Sequence, residues 1–219
     1  MAFRLGICGG TFDPIHLAHL RCVEEAGEAL ALSEIWFMPC AVPPHNKKVK
    51  ASAAHRLEMV RLAVAQRPGF KASDLEISRG GFSRTADTLA ALKQQDPERE
   101  LYFFIGVDAF FWLHTWYHPR RIFDLANLVV MDRPYNPARN LLDYLRAELD
   151  PAFALVKDGW VRLPGGHGAR QVATTLLDIS STDIKRRVAA GRSITFLVPP
   201  AVEAYIKDMK LYTNSGQSR

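Results

Sequence analysis

Apolar residues along this chain fall into short runs of β character, separated by longer segments in which they recur every three to four positions. That alternation is the pattern of a parallel sheet with helices packed against it. Strands are expected at residues 3–8, 34–38, 71–77, 101–105, 127–131 and 174–179. LYFFI and LVVM, in the fourth and fifth of these, are almost wholly apolar, as central parallel strands buried on both faces must be. Amphipathic helices are expected over 17–32, 53–66, 85–95 and 181–190.

Two stretches break this rhythm. Residues 39–50, PCAVPPHNKKVK, carry three prolines and three lysines, so they form neither a helix nor a central strand and are expected as an exposed basic loop after the second strand. Residues 134–168 hold one expected helix at 138–149 and otherwise irregular chain, read as a peripheral elaboration. The whole is expected to be one α/β domain, with a core to about residue 190 and a helical tail over 191–219.

Composition changes this picture little. Of 219 residues, 48% are hydrophobic and 23% charged, a globular balance that excludes a disordered chain. The net charge of +5 suits anionic ligands, but the cations are scattered, so nucleic acid is not an expected partner. Three separated cysteines without a CxxC pair argue for a reducing compartment, and the cytoplasm is expected. No window approaches the apolar length of a membrane helix, and the N-terminus is too soon broken by Gly and Asp to act as a secretory leader.

Chemistry concentrates in GGTFDPIHLAHL, residues 9–20, which runs from the first strand into the first helix. Gly9 and Gly10 leave room for the close approach of a ligand, and Pro14 suits the approach to a helix. His16 and His19, three apart, should project from one face toward whatever sits above the helix N-terminus, a place that already favours anions. Metal binding by the two histidines is a weaker alternative, because no Cys or carboxylate at ligand spacing completes a set. A second candidate is DISSTDIKRRV at residues 178–188: Ser180, Ser181 and Thr182 supply hydroxyls at a helix start, and Lys185, Arg186 and Arg187 follow. An ordinary N-cap with a solvated basic face explains it equally well.

Strand ends add further candidates, since ligands of open α/β sheets sit beyond the carboxyl ends of the strands. FFIGVDAF places Gly106 and Asp108 at one end, and VVMDRP places Arg133 at another. The aromatic segment FFWLHTWYHP at 110–119 is either core packing or a platform for a flat ring, and periodicity does not decide between them.

Together these motifs resemble a known family. GGTFDPIHLAHL is similar to the (T/S)FDPxHxGH signature of nucleotidyltransferases related to class I aminoacyl-tRNA synthetases. The ordered set GGTFDPIH, PPHNK, SRTADTL, FFIGVDAF, TWY, MDRP and ISSTDIKRR, with the tail GRSITFLVPPAVEAYIKDMKLY, resembles bacterial nicotinate-nucleotide adenylyltransferases over nearly the whole chain. The resemblance implies a Rossmann-like open parallel sheet with helices on both faces. It implies that ATP and nicotinate mononucleotide are the substrates, that Mg2+ accompanies ATP, and that His16 and His19 act on the phosphates and the transition state. The matching ATP-site positions are Gly9, Gly10, Thr11, Phe12, Gly106, Asp108, Ser180, Ser181, Thr182 and Lys185. For the mononucleotide they are His45, Lys47, Arg84, Thr85, Trp116, Tyr117 and Arg133, with Thr85 and Tyr117 near the pyridine carboxylate and Trp116 stacked on the ring.

Three positions depart from the family pattern. Ala18 replaces a Gly between the histidines, Lys185 stands where Arg is common, and Arg84 stands where Tyr is common. Lys cannot reproduce a bidentate phosphate contact. Arg84 lies beside the expected ring pocket and could favour an acid over an amide. Alternatives are an adenylyltransferase with a nicotinamide or phosphopantetheine acceptor and a sensor that binds nucleotide without turnover. A tRNA synthetase is disfavoured because a KMSKS-like segment is missing. The oligomeric state is open, a homodimer included.

Overall fold

The computed structural model describes residues 3–43, 48–132, 140–164 and 166–213. In chain order these form β1 (Arg4–Gly10), α1 (Leu17–Ala29), β2 (Glu34–Pro39), α2 (Ala53–Val64), β3 (Phe70–Ala72), α3 (Leu75–Arg79), α4 (Thr85–Gln95) and β4 (Glu100–Gly106). There follow α5 (Val107–Phe110), a 3-10 turn at Leu113–Thr115, α6 (Pro119–Leu125), β5 (Asn127–Met131), α7 (Leu141–Glu148), β6 (Ala154–Leu155) and β7 (Val161–Arg162). The last elements are β8 (Gly168–Val172), α8 (Ser181–Ala189) and α9 (Pro200–Asp208).

The strands build one sheet in the order β3-β2-β1-β4-β5-β8-β7-β6. It is parallel from β3 to β8, and the short β7 and β6 close one edge in antiparallel pairing. Side chains alternate across it because strand residues point to opposite faces in turn. Leu101, Phe103, Ile105, Leu128 and Val130 pack beneath α4, α5, α6 and α7. Tyr102, Phe104, Val129 and Met131 pack beneath α1, α2, α8 and α9. Burial on both faces explains why the central strands read as unbroken apolar runs. The chain leaves β1 in one direction to β2 and returns on the other side as β4, so the crevice between the ends of β1 and β4 is the topological switch point.

Several expectations are corrected. Residues 71–77 are not one strand: β3 ends at Ala72, and after Ser73 and Asp74 the chain turns into α3. The apolar alternation there belongs partly to a helix, on which Glu76 is buried and accepts a bond of 2.7 Å from Thr88. Residues 174–179 are not a strand either. The place beside β5 is taken by β8, and the later segment crosses toward α1, where the Thr175 hydroxyl donates to Glu25 at 2.6 Å. Segment 134–168 is more than an irregular elaboration, because β6 and β7 extend the sheet. Gly168 permits that pairing, since a Cβ there would lie 2.2 Å from the Val161 carbonyl oxygen. Of the helix expected at 138–149, residues 138–139 lie outside the described residues and the rest is α7 (Leu141–Glu148), whose cap Asn140 accepts from Leu142 N at 2.8 Å.

At the start of β8, His167 Nδ1 bonds the Phe123 carbonyl at 3.0 Å. Burial dominates its titration and holds its pKa below the ordinary 6.5, despite that bond. The unfolded chain therefore binds the proton first as pH falls. His167 should contribute its full stability above about pH 6.5 and lose it progressively below. Urea unfolding at pH 7.5 and 5.5 should show a loss that His167→Gln reduces; an identical loss in both proteins would rule this out.

Candidate active site

The turn after β1 is built around Phe12, which adopts a left-handed φ of 48° and is buried. Non-glycine residues rarely take that conformation, and where they do the surroundings enforce it. Here the ring packs edge-on against His19, with centroids 5.2 Å apart, and against Phe37. A Cβ on Gly10 would sit 3.0 Å from the Phe12 ring, so the missing side chain at Gly10 makes way for Phe12 as well as keeping the strand end open.

His16 is the N-cap of α1, and its backbone N–H donates to His19 Nδ1 at 3.2 Å. With Nδ1 accepting, a neutral His19 imidazole carries its proton on Nε2, which is then a donor. The two rings stack at 3.6 Å, 21° from parallel. They share one face, as their spacing predicts, but not equally: His16 is only 2% exposed, whereas His19 is half-buried. The expectation that both imidazoles present themselves to a ligand is thus corrected to one half-buried ring backed by a buried one. The capping geometry fixes this, since the N-cap side chain turns back over the first turn of the helix.

The second candidate segment folds onto the first. Ser180 caps α8, its hydroxyl accepting from Asp183 N at 3.1 Å, and Ser181 Oγ donates to the Pro14 carbonyl at 2.9 Å. Thr182 is exposed in the first turn. The basic residues that follow, for which the sequence leaves a phosphate site and a solvated face equally open, are each paired with a carboxylate. Arg186 and Arg187 pair with Asp183 at 2.5 and 2.6 Å, and Lys185 Nζ lies 2.9 Å from Asp13 Oδ2. Gly106 and Asp108 stand at the end of β4 and the start of α5, Asp108 exposed.

Asp13 and Arg56 escaped the sequence reading. Asp13 is 3% exposed and accepts from Lys185 Nζ at 2.9 Å, Tyr212 OH at 2.8 Å, Lys50 N at 3.0 Å and Ala51 N at 3.1 Å. Burial is the largest single influence and pushes its pKa up, but the four bonds together outweigh it and hold the carboxyl below its usual range. Tyr212 moves the other way: burial first, then the Asp13 charge, raises its phenol, which stays protonated and donates. Arg56, 1% exposed, donates to the Thr11 carbonyl at 2.8 Å and the Ala41 carbonyl at 3.1 Å. A signal for Arg56 existed, because it shares the i, i+4, i+8 stripe of α2 with Val60 and Val64. No local signal marked Tyr212.

A cavity of about 760 Å3 lies between the start of α4 and the segment after β4, lined by Phe82, Arg84, Thr85, Trp112, Trp116 and Tyr117 among others. The aromatic stretch at 110–119 therefore divides: Phe110 and Phe111 are buried core, whereas Trp112, Trp116 and Tyr117 face the cavity. Arg84 is held over the Tyr117 ring, 4.1 Å from its centroid. The Phe103 ring joins this cavity to the β1 turn, packing edge-on to Trp116 while lying 3.4 Å from where a Gly9 Cβ would be. The loop after β2 reaches the same place, with Ala41 N donating to Ser83 Oγ at 3.0 Å. His45, Lys47 and Arg133 lie outside the described residues.

The chain is similar to known proteins over nearly its whole length. The cytidylyltransferase-like family model matches residues 7–187. A protein of Desulfatibacillum aliphaticivorans named "Probable nicotinate-nucleotide adenylyltransferase" is 45% identical over 95% of this chain and 99% of its own length. One of the same name from Citrifermentans bemidjiense is 44% identical over 97% and 99%. Among solved structures, Plasmodium falciparum nicotinic acid mononucleotide adenylyltransferase complexed with NaAD superposes with a TM-score of 0.74 at 19% identity, covering 95% of this chain and 97% of that one. That likeness is one of fold, whereas the two relatives match in sequence almost from end to end. The chain belongs to the cytidylyltransferase-like family and, within it, to the nicotinate-nucleotide adenylyltransferases.

Proposed function

We propose that this protein transfers the adenylyl group of ATP to nicotinate mononucleotide, forming nicotinate adenine dinucleotide and releasing pyrophosphate. A phosphate oxygen of the mononucleotide attacks the α-phosphorus of ATP in line, and the bond from that phosphorus to the oxygen bridging to the β-phosphate breaks. One phosphoanhydride replaces another, so no covalent enzyme intermediate is needed. Catalysis then consists of positioning and charge stabilisation. His19 Nε2 donates to the phosphates above α1, buried His16 backs its ring, and Gly9, Gly10, Thr11 and Phe12 shape the turn beneath. Gly106 and Asp108 meet the nucleoside at the switch point. Ser180, Ser181, Thr182 and Lys185 hold the far phosphates, their helix tied to the turn by Ser181. Among the described residues no cluster of carboxylates, histidines or cysteines is grouped to hold a metal, so a Mg2+ accompanying ATP would be held mainly by phosphate oxygens and water and would supply charge neutralisation, while the imidazole, hydroxyl, amide and ammonium groups here donate to the phosphates.

The observation that carries the acceptor's identity is Arg84 over Tyr117 in an aromatic cavity. A flat ring bearing a carboxylate finds a stacking surface there in Trp116, a hydroxyl in Thr85 and a cation in Arg84. His45, Lys47 and Arg133 complete the mononucleotide site in this reading. Pyrophosphate release should be rapid with ATP and nicotinate mononucleotide and slow with the nicotinamide form. Arg84→Tyr should reduce the acid-to-amide ratio of kcat/KM about fivefold, the upper end of what one solvent-exposed ion pair contributes. No release with either mononucleotide would defeat the proposal, and an unchanged ratio would remove Arg84 from it.

A further inference from the structure

The Asp13 carboxylate joins parts of the chain that are far apart in sequence. Its Oδ1 is held by the Tyr212 hydroxyl at 2.8 Å and Ala51 N at 3.1 Å, and its Oδ2 by Lys50 N at 3.0 Å and the Lys185 ammonium at 2.9 Å. Asp13 stands in the β1 turn, Lys185 on α8, Lys50 and Ala51 at the end of the basic loop, and Tyr212 after α9. Lys185 has a flexible four-carbon stem, and its side chain is 14% exposed, so its charge is well placed only while the carboxylate beside it is. Tyr212 is 7% exposed and takes a left-handed φ of 63°, a conformation side chains rarely adopt unless their surroundings impose it. Its ring already packs in the core on this face of the sheet, so burial alone does not require the hydroxyl.

We infer that Asp13 and Tyr212 are positioning residues for adenylyl transfer: the Tyr212 hydroxyl locks the Asp13 carboxylate in one orientation, and the carboxylate sets the Lys185 ammonium toward the triphosphate. The C-terminal part of the chain thereby becomes part of the ATP site without touching substrate. The inference rests on the proposed reaction.

Tyr212→Phe keeps the ring and removes the lock. It should raise KM for ATP about fivefold and weaken Mg-ATP binding in calorimetry to the same extent, while kcat and KM for nicotinate mononucleotide stay within twofold. Lys185→Met should raise KM for ATP at least as far as Tyr212→Phe does, and Tyr212→Phe should add little in the Lys185→Met background, because the lock acts only through that ammonium. A purely structural Tyr212 would lower the unfolding midpoint and leave KM for ATP at the wild-type value, which overturns the inference. Effects of the two substitutions that simply multiply overturn it as well. A wild-type protein without turnover defeats the reaction itself; one that turns over but whose KM ignores Tyr212→Phe defeats only the lock.

Discussion

His19→Ala should lower kcat by about two orders of magnitude while the protein stays folded. The magnitude follows from what is lost: a preorganised donor aimed at charge that grows in the transition state, which elsewhere accounts for about a hundredfold or more. His19 is the more exposed member of the stacked pair, and its Nδ1 already serves the His16 backbone N–H at 3.2 Å. The substitution also deletes that capping acceptor, at a cost of about 1 kcal/mol in stability. Activity and stability should therefore separate clearly. Steady-state kinetics beside thermal unfolding decides the matter, and a folded variant turning over within threefold of wild type would strip His19 of its role.

Arg56→Met should affect both properties at once. The guanidinium is buried and donates to the Thr11 and Ala41 carbonyls at 2.8 and 3.1 Å, so it holds the β1 turn to the chain leaving β2. Both carbonyls are part-buried, so each left without its donor costs about 1 kcal/mol or somewhat more, at the low end of the range for a buried group. Relief from burying a charge offsets part of this, leaving a net loss of about 1 kcal/mol. A turn displaced by a fraction of an ångström misplaces the reacting groups, and kcat/KM should fall on the order of tenfold. Arg56→Lys should recover little, because one ammonium cannot reproduce two divergent bonds in a fixed fork. Urea unfolding and kcat/KM for ATP measure the two effects. A variant as stable and active as wild type would mean that the two carbonyls find other donors.

Local pattern located the framework accurately where packing is symmetric. The strand at 127–131 and the helix at 85–95 were anticipated to the residue, and β1, β2, β4, α1 and α8 to within a few positions. The two misplaced strands, at 71–77 and 174–179, lie where the sheet reaches or passes its parallel edge. There apolar alternation no longer has one meaning, because a short helix and a crossing segment bury the same residue types. The hairpin of β6 and β7 was invisible for a related reason: with two residues in each strand, it exists only because β8 offers an edge to pair with.

By itself the sequence determined most of the sheet-and-helix order and the placing of two histidines on one face of a helix start, because these depend on residues close together along the chain, and it indicated the family through an ordered set of short motifs, each of them local. Tertiary structure alone decided which imidazole faces outward and that Lys185 answers to Asp13. It also decided that Arg56 supports the turn from beneath and that Tyr212 closes on a residue 199 positions away. Partners brought together by folding leave no periodicity to read, since the chain between them carries the geometry and any sequence of the right lengths and burial could serve.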